Sequence, residues 1–211
     1  MKIIAHRGLW KNENEKNSIS ALNRAILAGY GIETDIRDYM GKLVISHNMA
    51  DHGSPSLEQF FESCVKLGSN STLALNVKAD GIQGELVKLL NQYNIENYFM
   101  FDMSIPEMVV YKKNNMKFFT RHSDIERQCV LYEDAEGVWL DSFYEENWLT
   151  SEIVSGHLAE GKNVCIISPE IHGFSEKPMW KMLKDNSANN GKVMLCTDMP
   201  KEAEVYFNGE N

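Results

Sequence analysis

The chain has 211 residues, of which 43% are hydrophobic, and its 30 acidic and 21 basic residues give a formal net charge of −9. This length and composition are typical of an ordinary globular protein, and we expect a single domain over residues 1–211. The negative charge argues against nucleic-acid binding and against adhesion to anionic membranes. The sequence contains no apolar run of about 18 residues, so no transmembrane segment is expected.

The N-terminus and the cysteines indicate the cellular compartment. An apolar, strand-like run follows Lys2 directly and leaves no room for a signal peptide ahead of His6, so we expect a cytoplasmic protein. The cysteines are far apart and form no C-x-x-C pair: Cys64, Cys129, Cys165 and Cys196. Neither a disulfide framework nor a zinc site is predicted from this spacing.

The first half of the chain predicts strands that alternate with helices. The predicted strands are Lys2–Ala5, Gly31–Ile36, Leu43–Ser46, Thr72–Lys78 and Tyr98–Phe101. The predicted helices are one beginning near Ile19, then Ser56–Leu67, Ile82–Tyr93 and Ile105–Asn114. Either Asn17 or Ser18 is suited to cap the first helix, because both side chains accept backbone hydrogen bonds.

The second half continues this alternation. Its predicted strands are Lys117–Thr120, Gly137–Leu140, Asn163–Ile167 and Lys192–Cys196. Its predicted helices are Thr150–Ala159, Pro178–Asn189 and a short one at the C-terminus, while Asp124–Glu133 is either a short helix or irregular. About eight strand–helix units favour a small α/β protein of the (β/α)8 TIM-barrel class, with loops trimmed below the usual ~250 residues. A doubly wound open sheet is the alternative, but no G-x-G-x-x-G follows the first strand.

Charged and polar side chains recur at the predicted carboxyl ends of the strands, where barrel enzymes place their active sites. These residues are His6, Glu33, Asp35, His47, Asn76, Lys78, Asp102, Arg121, Asp141, Glu170 and Asp198. Glu33 and Asp35 are two residues apart in an apolar strand, so both side chains point to the same face. Two buried carboxylates repel each other, and a divalent cation is the simplest way to neutralise them.

Several short motifs coincide with these strand ends. They read I-A-H-R-G in the first strand, N-S before the first helix, I-E-T-D-I in the second strand, V-I-S-H-N in the third and L-C-T-D-M-P in the last. Together they resemble the signature of the glycerophosphodiester phosphodiesterases, and the resemblance covers the whole chain. It implies a TIM-barrel phosphoric diester hydrolase that acts on a small-molecule phosphodiester, with a glycerophosphodiester as the first choice.

The resemblance also implies a role for each matched residue. His6 and His47 would be the acid/base pair, and Arg7 and Lys78 would bind the phosphate oxygens. One divalent cation, Mg, Ca or Mn, would be held by Glu33, Asp35 and Asn76. Asn17 is a further candidate for the site, although its place before a helix is explained equally well by capping. Arg7 has the alternative role of a salt-bridge partner for a barrel carboxylate.

The chain departs from the family pattern at three points. Lys16 stands where the family usually has an acid, and Asn76 stands where it usually has a metal-binding glutamate. An amide oxygen can ligate a hard cation but brings no charge, so we expect weaker metal binding. Glu170 and His172 are possible additional site residues, with Glu170 as a replacement carboxylate. Only Ala79–Gly81 separates Lys78 from the next helix, so no sizeable cap insertion is expected and the site should be open.

Two other functions remain open from the sequence. One is a phosphodiesterase that acts on a lipid headgroup or on a glycan-linked glycerol phosphate. The other is a binding module of the same fold with weakened catalysis, which the Asn76 departure motivates. The remaining histidines, His52, His122 and His157, are interpreted as ordinary surface or loop residues.

Overall fold

The computed structural model describes residues 1–186 and 190–209, and in these it contains nine strands and seven α-helices. The strands are β1 (Lys2–His6), β2 (Gly31–Tyr39), β3 (Lys42–Ile45), β4 (Leu73–Val77), β5 (Tyr98–Phe101), β6 (Phe119–Ser123), β7 (Gly137–Asp141), β8 (Asn163–Ile167) and β9 (Val193–Thr197). The helices are α1 (Ile19–Leu27), α2 (Leu57–Lys66), α3 (Gln83–Gln92), α4 (Ile105–Lys113), α5 (Ser151–Ala159), α6 (Lys177–Asn186) and α7 (Pro200–Asn208). The predicted end of the sixth helix, residues 187–189, lies outside the described residues.

Hydroxyl caps fix where several of the helices begin. Ser18 caps α1, because its side chain accepts a hydrogen bond from the Ala21 backbone N–H. Equivalent caps begin α2, α4 and α5, with the side chains of Ser56, Ser104 and Thr150 as acceptors. A side-chain cap satisfies one of the N–H groups that a helix leaves unpaired at its start. The choice between Asn17 and Ser18 is thereby decided, and the Asn17 side chain is available for another contact.

One compact unit comprises residues 5–118. Its strands lie in the order β5-β4-β2-β1, and β2 pairs in parallel with β4, as β4 does with β5. The register places Asp35 directly opposite Asn76. Beyond Ile36, β2 continues as a hairpin with the antiparallel strand β3, which carries the chain to His47. The hairpin explains why β2 runs three residues past the predicted end of the second strand.

The other compact unit contains residues 1–4 and the chain from Phe119 onward. Its strands follow the order β1-β9-β8-β7-β6, and the pairings from β6 to β9 are parallel. Apolar side chains of β7, β8 and β9 are buried, and the aromatic residues Phe119, Trp139 and Trp180 are part of this core. β1 has residues in each unit, Lys2–Ile4 in this one and Ala5–His6 in the other.

Eight parallel strands joined by helices confirm the predicted (β/α)8 TIM-barrel fold, with β3 as an additional antiparallel strand. The connection after β4 consists of residues 78–82 alone, so the predicted absence of a cap insertion at this point is also confirmed. All four cysteines are free thiols. None of the helices in the described part of the chain has the length and hydropathy needed to cross a membrane.

One sequence interpretation needs correction. His122 lies on β6 and His157 on α5, and both are half-buried, so neither is an ordinary surface or loop histidine. The interpretation failed because neither residue belongs to an apolar periodicity that would have placed it on a packed face. The segment Asp124–Glu133 is largely irregular, which was one of the two predicted alternatives, and a short 3-10 turn occupies Tyr132–Asp134.

Candidate active site

Asp35 is fully buried on β2, and four polar side chains contact its carboxylate. Asn17 Nδ2 donates to Oδ2 at 2.8 Å, and Arg7 Nε lies 3.0 Å from the same oxygen. Lys78 Nζ and His47 Nδ1 lie 3.4 Å and 3.2 Å from Oδ1. Burial alone would raise the pKa of Asp35, but Arg7 and Lys78, aided by the two hydrogen bonds, bring this pKa below its ordinary value. Asp35 is therefore an ionised carboxylate that holds two cationic side chains in place.

Glu33 is also buried and faces the same side of β2 as Asp35. Its Oε2 accepts a hydrogen bond from the Arg7 backbone N–H at 3.1 Å and lies 3.8 Å from His6 Nε2. Burial, followed by repulsion from Asp35, raises the pKa of Glu33 from 4.5 to about 7. The two carboxylates are thus tolerated in the interior because one of them holds a proton up to neutral pH and the other is paired with cations.

Asn76 supplies a third oxygen beside this pair. It is buried on β4, and its position opposite Asp35 in a parallel register directs both side chains to the same face. No donor within the described ranges 1–186 and 190–209 hydrogen-bonds its buried Oδ1. An unpaired amide oxygen next to two carboxylates is suited to a hard divalent cation, which prefers oxygen ligands. The donor set of Glu33, Asp35 and Asn76 therefore fits the cation that the motif resemblance implies.

His47 stands between a cation and a carboxylate. Its Nδ1 lies 3.0 Å from Arg7 Nη2 and 3.2 Å from Asp35 Oδ1. When Nδ1 carries a proton it can donate to Asp35, and when it is bare it can accept from Arg7. Each protonation state of the imidazole thus has a hydrogen-bond partner already in place, and the ring remains 46% exposed to solvent.

The backbone at the start of the site adopts the left-handed conformation that side chains disfavour. Arg7 has φ +56°, Gly8 φ +88° and Asn17 φ +62°. A Cβ on Gly8 would lie 2.7 Å from the Ala21 backbone carbon, so only glycine fits against α1. The Asn17 backbone N–H donates to the Arg7 carbonyl at 3.0 Å, which ties the two strained residues together. The H-R-G motif is thereby explained as a tight turn that aims Arg7 at Asp35.

Two further residues support these contacts. Thr34 Oγ1 donates to Asn17 Oδ1 at 2.8 Å, which orients the amide so that its Nδ2 meets Asp35. Asp102 Oδ2 lies 3.8 Å from Lys78 Nζ and gives this cation a second carboxylate. Sequence analysis placed Asp102 at a strand end without a role and overlooked Thr34. Thr34 lies between Glu33 and Asp35, so the period-two rule placed its side chain on the opposite face of the strand. Its contact with Asn17 could be found only from the three-dimensional structure.

A polar groove opens beside the cluster. It is lined by residues on both sides of Arg7 and His47, among them Lys16, Asn17 and Asn48. Lys16, which replaces an acid of the family pattern, pairs with Glu13 at 3.0 Å and lies over the Trp10 ring. The groove therefore gives an anionic ligand access to Arg7 along a wall that bears another positive charge.

The additional candidates Glu170 and His172 lie in the other unit. Ser168 Oγ and Thr197 Oγ1 hydrogen-bond the Glu170 carboxylate, which also accepts from the Asp198 backbone N–H at 3.1 Å. His172 Nε2 lies 2.7 Å from Asp141 Oδ1, and the hydrogen bond to Asp141 raises the pKa of His172. The pairing of Asp141 with His172 was not foreseen, because sequence analysis placed Asp141 at a strand end without assigning it a partner. The role of Glu170 as a replacement metal ligand stays a prediction.

Comparison with known proteins shows a likeness at the level of structure. No protein-family model and no curated protein sequence matches the chain. Among solved structures, the chain is similar to a Galdieria sulphuraria protein assigned as a glycerophosphodiester phosphodiesterase, with TM-score 0.78, 21% identity, and coverage of 98% of this chain and 97% of that one. A glycerophosphodiester phosphodiesterase from Parabacteroides distasonis gives TM-score 0.67 at 21% identity, with coverage of 98% and 96%.

An Oleispira antarctica phosphodiesterase, solved in complex with the product sn-glycerol-3-phosphate, is also similar, with TM-score 0.69, 16% identity and coverage of 99% of this chain and 97% of that one. At these identities the likeness establishes the fold. The resemblance that the sequence motifs indicated is therefore confirmed at the level of the fold, since the chain has the barrel of the glycerophosphodiester phosphodiesterases along nearly its whole length.

Proposed function

We propose that this protein is a phosphodiesterase that hydrolyses a glycerophosphodiester, or a related alcohol–phosphate–alcohol link, by histidine acid/base catalysis with the aid of one divalent cation. The observation that carries the proposal is the convergence on Asp35 of His47, Arg7 and Lys78, with His6 beside the neighbouring carboxylate Glu33. Two proton-transfer groups, two phosphate-binding cations and a set of oxygen ligands are a combination that suits phosphodiester cleavage. The fold and the motifs support the same class of reaction.

The histidines divide the proton transfers between them. One takes the proton of the attacking hydroxyl, and the other gives a proton to the leaving alcohol oxygen. His47 is suited to either task because Arg7 supports its neutral form and Asp35 its protonated form. His6 is buried next to Glu33, and its Nε2 lies 3.8 Å from Glu33 Oε2. Imidazole is the side chain most often used for such proton transfers near neutral pH.

Arg7 and Lys78 bind the charged oxygens of the phosphate. The guanidinium offers a planar pair of donors and the ammonium a compact charge, so together they suit two non-bridging oxygens. Both side chains are about one-fifth exposed, at 22% and 21%, which leaves them within reach of a ligand. The Lys78 backbone N–H donates to the Ile36 carbonyl at 2.9 Å, which holds the base of this side chain against β2.

Glu33, Asp35 and Asn76 are the residues that would hold the cation. When bound, a hard divalent ion supplies charge neutralisation for the phosphate, and magnesium, calcium and manganese all suit oxygen ligands. Because Asn76 contributes no charge, we expect a lower affinity for the ion than three carboxylates would give. Glu33 must lose its proton to serve as a ligand, so cation binding and proton release are coupled at this site.

The short connection after β4 favours a second choice of substrate within the same reaction class. Residues 78–82 form no cap insertion, and the groove beside Arg7 and His47 is open and polar. A lipid headgroup or a glycan-linked glycerol phosphate would therefore also have access. A binding module without turnover is the remaining alternative, and its motive is Asn76, which stands where the family usually has a metal-binding glutamate.

The test is hydrolysis of glycerophosphocholine and of a bis-aryl phosphodiester by protein stripped with chelator and then supplied with calcium, magnesium or manganese. We expect turnover with at least one ion, and its loss by at least about 1000-fold in His6→Ala and His47→Ala. Glu62→Gln and Lys66→Ala, which alter an exposed ion pair on α2, serve as matched controls for Glu33→Gln and Lys78→Ala.

The pattern of outcomes separates the alternatives. Activity on the aryl diester alone would keep the mechanism and reject glycerophosphocholine as a substrate. Tight binding of a diester without turnover by a folded protein would favour the binding module. Equal activity in the wild-type protein and in both histidine variants would refute the proposal.

A further inference from the structure

A second cluster of potential ligand atoms lies in the unit that contains β6–β9. His122 on β6, Cys129 in the following loop and His157 on α5 each place one ligand atom within 4.8 Å of the other two. Within the described residues, this is the one group of three such side chains close enough to share an ion. His122 Nδ1 and His157 Nε2 face each other at 2.9 Å. The three residues belong to no common sequence motif. None of them has a role in the phosphodiesterase reaction proposed above.

The surrounding side chains hold both imidazoles in fixed orientations. Tyr132 Oη lies 2.9 Å from His157 Nδ1, so this nitrogen has its own partner and Nε2 is left to face the cluster. The Trp148 ring packs edge-on against His122 at a centroid distance of 5.0 Å. Thr120 Oγ1 donates to the Val130 carbonyl at 2.7 Å, which fixes the loop next to Cys129. Outer hydrogen bonds of this kind are typical of metal-binding histidines.

The facing nitrogens of the two imidazoles have lone pairs available for an ion. His122 Nδ1 and His157 Nε2 are 2.9 Å apart, and only one proton can lie between them, so at least one of the two nitrogens carries a lone pair there. Tyr132 Oη lies beside the other nitrogen of His157, so a proton on that nitrogen has a partner when Nε2 is bare.

We propose that His122 Nδ1, Cys129 Sγ and His157 Nε2 bind a thiophilic divalent ion of the zinc class. A sulfur and two imidazole nitrogens form a typical zinc-binding set, whereas the oxygen ligands around Asp35 suit hard cations. Bonds of ~2.0–2.3 Å in a tetrahedral site place ligand atoms about 3.4 Å apart, so the two nitrogens need to separate by about 0.5 Å. The thiol proton passes to solvent when the sulfur binds the ion, and a water molecule completes the fourth position. The ion would cross-link β6, the loop after it and α5.

The competing interpretation is a hydrogen-bonded chain of Tyr132, His157 and His122 with Cys129 merely nearby. The two interpretations differ in whether the sulfur binds an added ion. Cobalt(II) reports this directly, because a thiolate ligand gives it a charge-transfer absorption that oxygen and nitrogen ligands do not give. Cobalt held by Glu33, Asp35 and Asn76 alone would lack this absorption, so the experiment distinguishes the two sites.

The experiment titrates the full-length, metal-free protein with cobalt(II) under a non-chelating reductant, and then with zinc(II). We expect one equivalent of cobalt to develop the thiolate charge-transfer band and one equivalent of zinc to abolish it. Zinc should also raise the melting temperature of the wild-type protein in a concentration-dependent manner. Cys129→Ser should lose the band and the rise in melting temperature, and His157→Gln should weaken binding at least 100-fold. Tyr132→Phe should weaken it by about 10-fold, since it removes only an outer hydrogen bond.

Glu33→Gln provides the control, because it alters the oxygen site and should leave the band unchanged. This arrangement keeps the result independent of the proposed phosphodiesterase activity, which Glu33→Gln should abolish. A missing band in the wild-type protein, or a band that persists in Cys129→Ser, would overturn the proposal. Circular dichroism will show whether Cys129→Ser folds. If it does not fold, the cobalt affinities of His157→Gln and Tyr132→Phe take its place as the test. A cobalt affinity that is unchanged in both variants would also overturn the proposal.

Discussion

Glu33→Gln should remove a specific pH dependence from the stability of the metal-free protein. In the wild-type protein the pKa of Glu33 rises from 4.5 to about 7 on folding, first because of burial and then because of Asp35. Below pH 4.5 the carboxyl is protonated in both folded and unfolded chains. Between pH 4.5 and 7 the unfolded chain loses this proton while the folded chain keeps it, so stability falls as the pH rises and then levels off.

The magnitude follows from the two pKa values. A difference of about 2.5, at ~1.36 kcal/mol per pKa unit, corresponds to a loss of about 3 kcal/mol in the free energy of unfolding across this range. Glutamine carries no titrating proton, so this decline should be absent in Glu33→Gln. The opposite contribution of Asp35, whose pKa is lowered on folding, is lost only as the pH falls through that lowered value, and both proteins retain it.

The assay is urea unfolding at pH 4.5 to 7.5 in the presence of chelator. The wild-type protein should lose about 3 kcal/mol relative to Glu33→Gln over this range, while Glu62→Gln, which changes an exposed carboxylate, should follow the wild-type curve. Adding calcium or magnesium should flatten the wild-type curve, because a cation favours the ionised form of Glu33. Parallel curves for the wild-type protein and Glu33→Gln would refute the reasoning, since Glu33 would then be ionised in the folded metal-free protein.

Three other substitutions test separate parts of the site. Gly8→Ala should lower the free energy of unfolding, measured by urea titration, by about 2–4 kcal/mol, because the added Cβ would lie 2.7 Å from the Ala21 backbone and residue 8 has φ +88°. An unchanged free energy of unfolding would contradict this prediction. Asp35→Asn should destabilise the protein by about 2 kcal/mol, an amount moderated by the partial exposure of its cationic partners, and should abolish turnover; retained activity would exclude Asp35 from the site. Asn76→Glu should bind calcium at least about 10-fold more tightly by calorimetry, and unchanged affinity would place the cation elsewhere.

The alternation of strands and helices was enough to predict the fold, because most strands contain an apolar run and most helices have a recognisable cap or apolar face. The convergence of Glu33, Asp35 and Lys78 was also foreseeable, since the carboxyl ends of parallel strands meet at one edge. The antiparallel strand β3 was predicted as an extended piece, but its pairing with β2 depends on the turn at Met40–Gly41 and on the burial of Leu43 and Val44.

Other features required the structure. The hydrogen bond from Asn17 to Asp35 depends on the positive φ of Asn17, which no local sequence pattern predicts. The cluster of His122, Cys129 and His157 joins residues up to 35 positions apart, on a strand, a loop and a helix. No spacing rule connects such positions, because the contact is set by how α5 packs in its unit rather than by a continuous motif.

The contacts of Asp35 have a thermodynamic consequence for how one ligand changes the affinity of the site for another. Arg7 and Lys78 already rest on this carboxylate, so a phosphate that recruits them must take them from Asp35, and a divalent cation that recruits Asp35 must displace them. In the proposed phosphodiesterase, each ligand would therefore free the groups that the other ligand binds. By linkage, the diester would strengthen cation binding by the same factor as the cation strengthens diester binding. Loss of the cation would return Arg7 and Lys78 to Asp35 and would weaken the binding of the phosphate product.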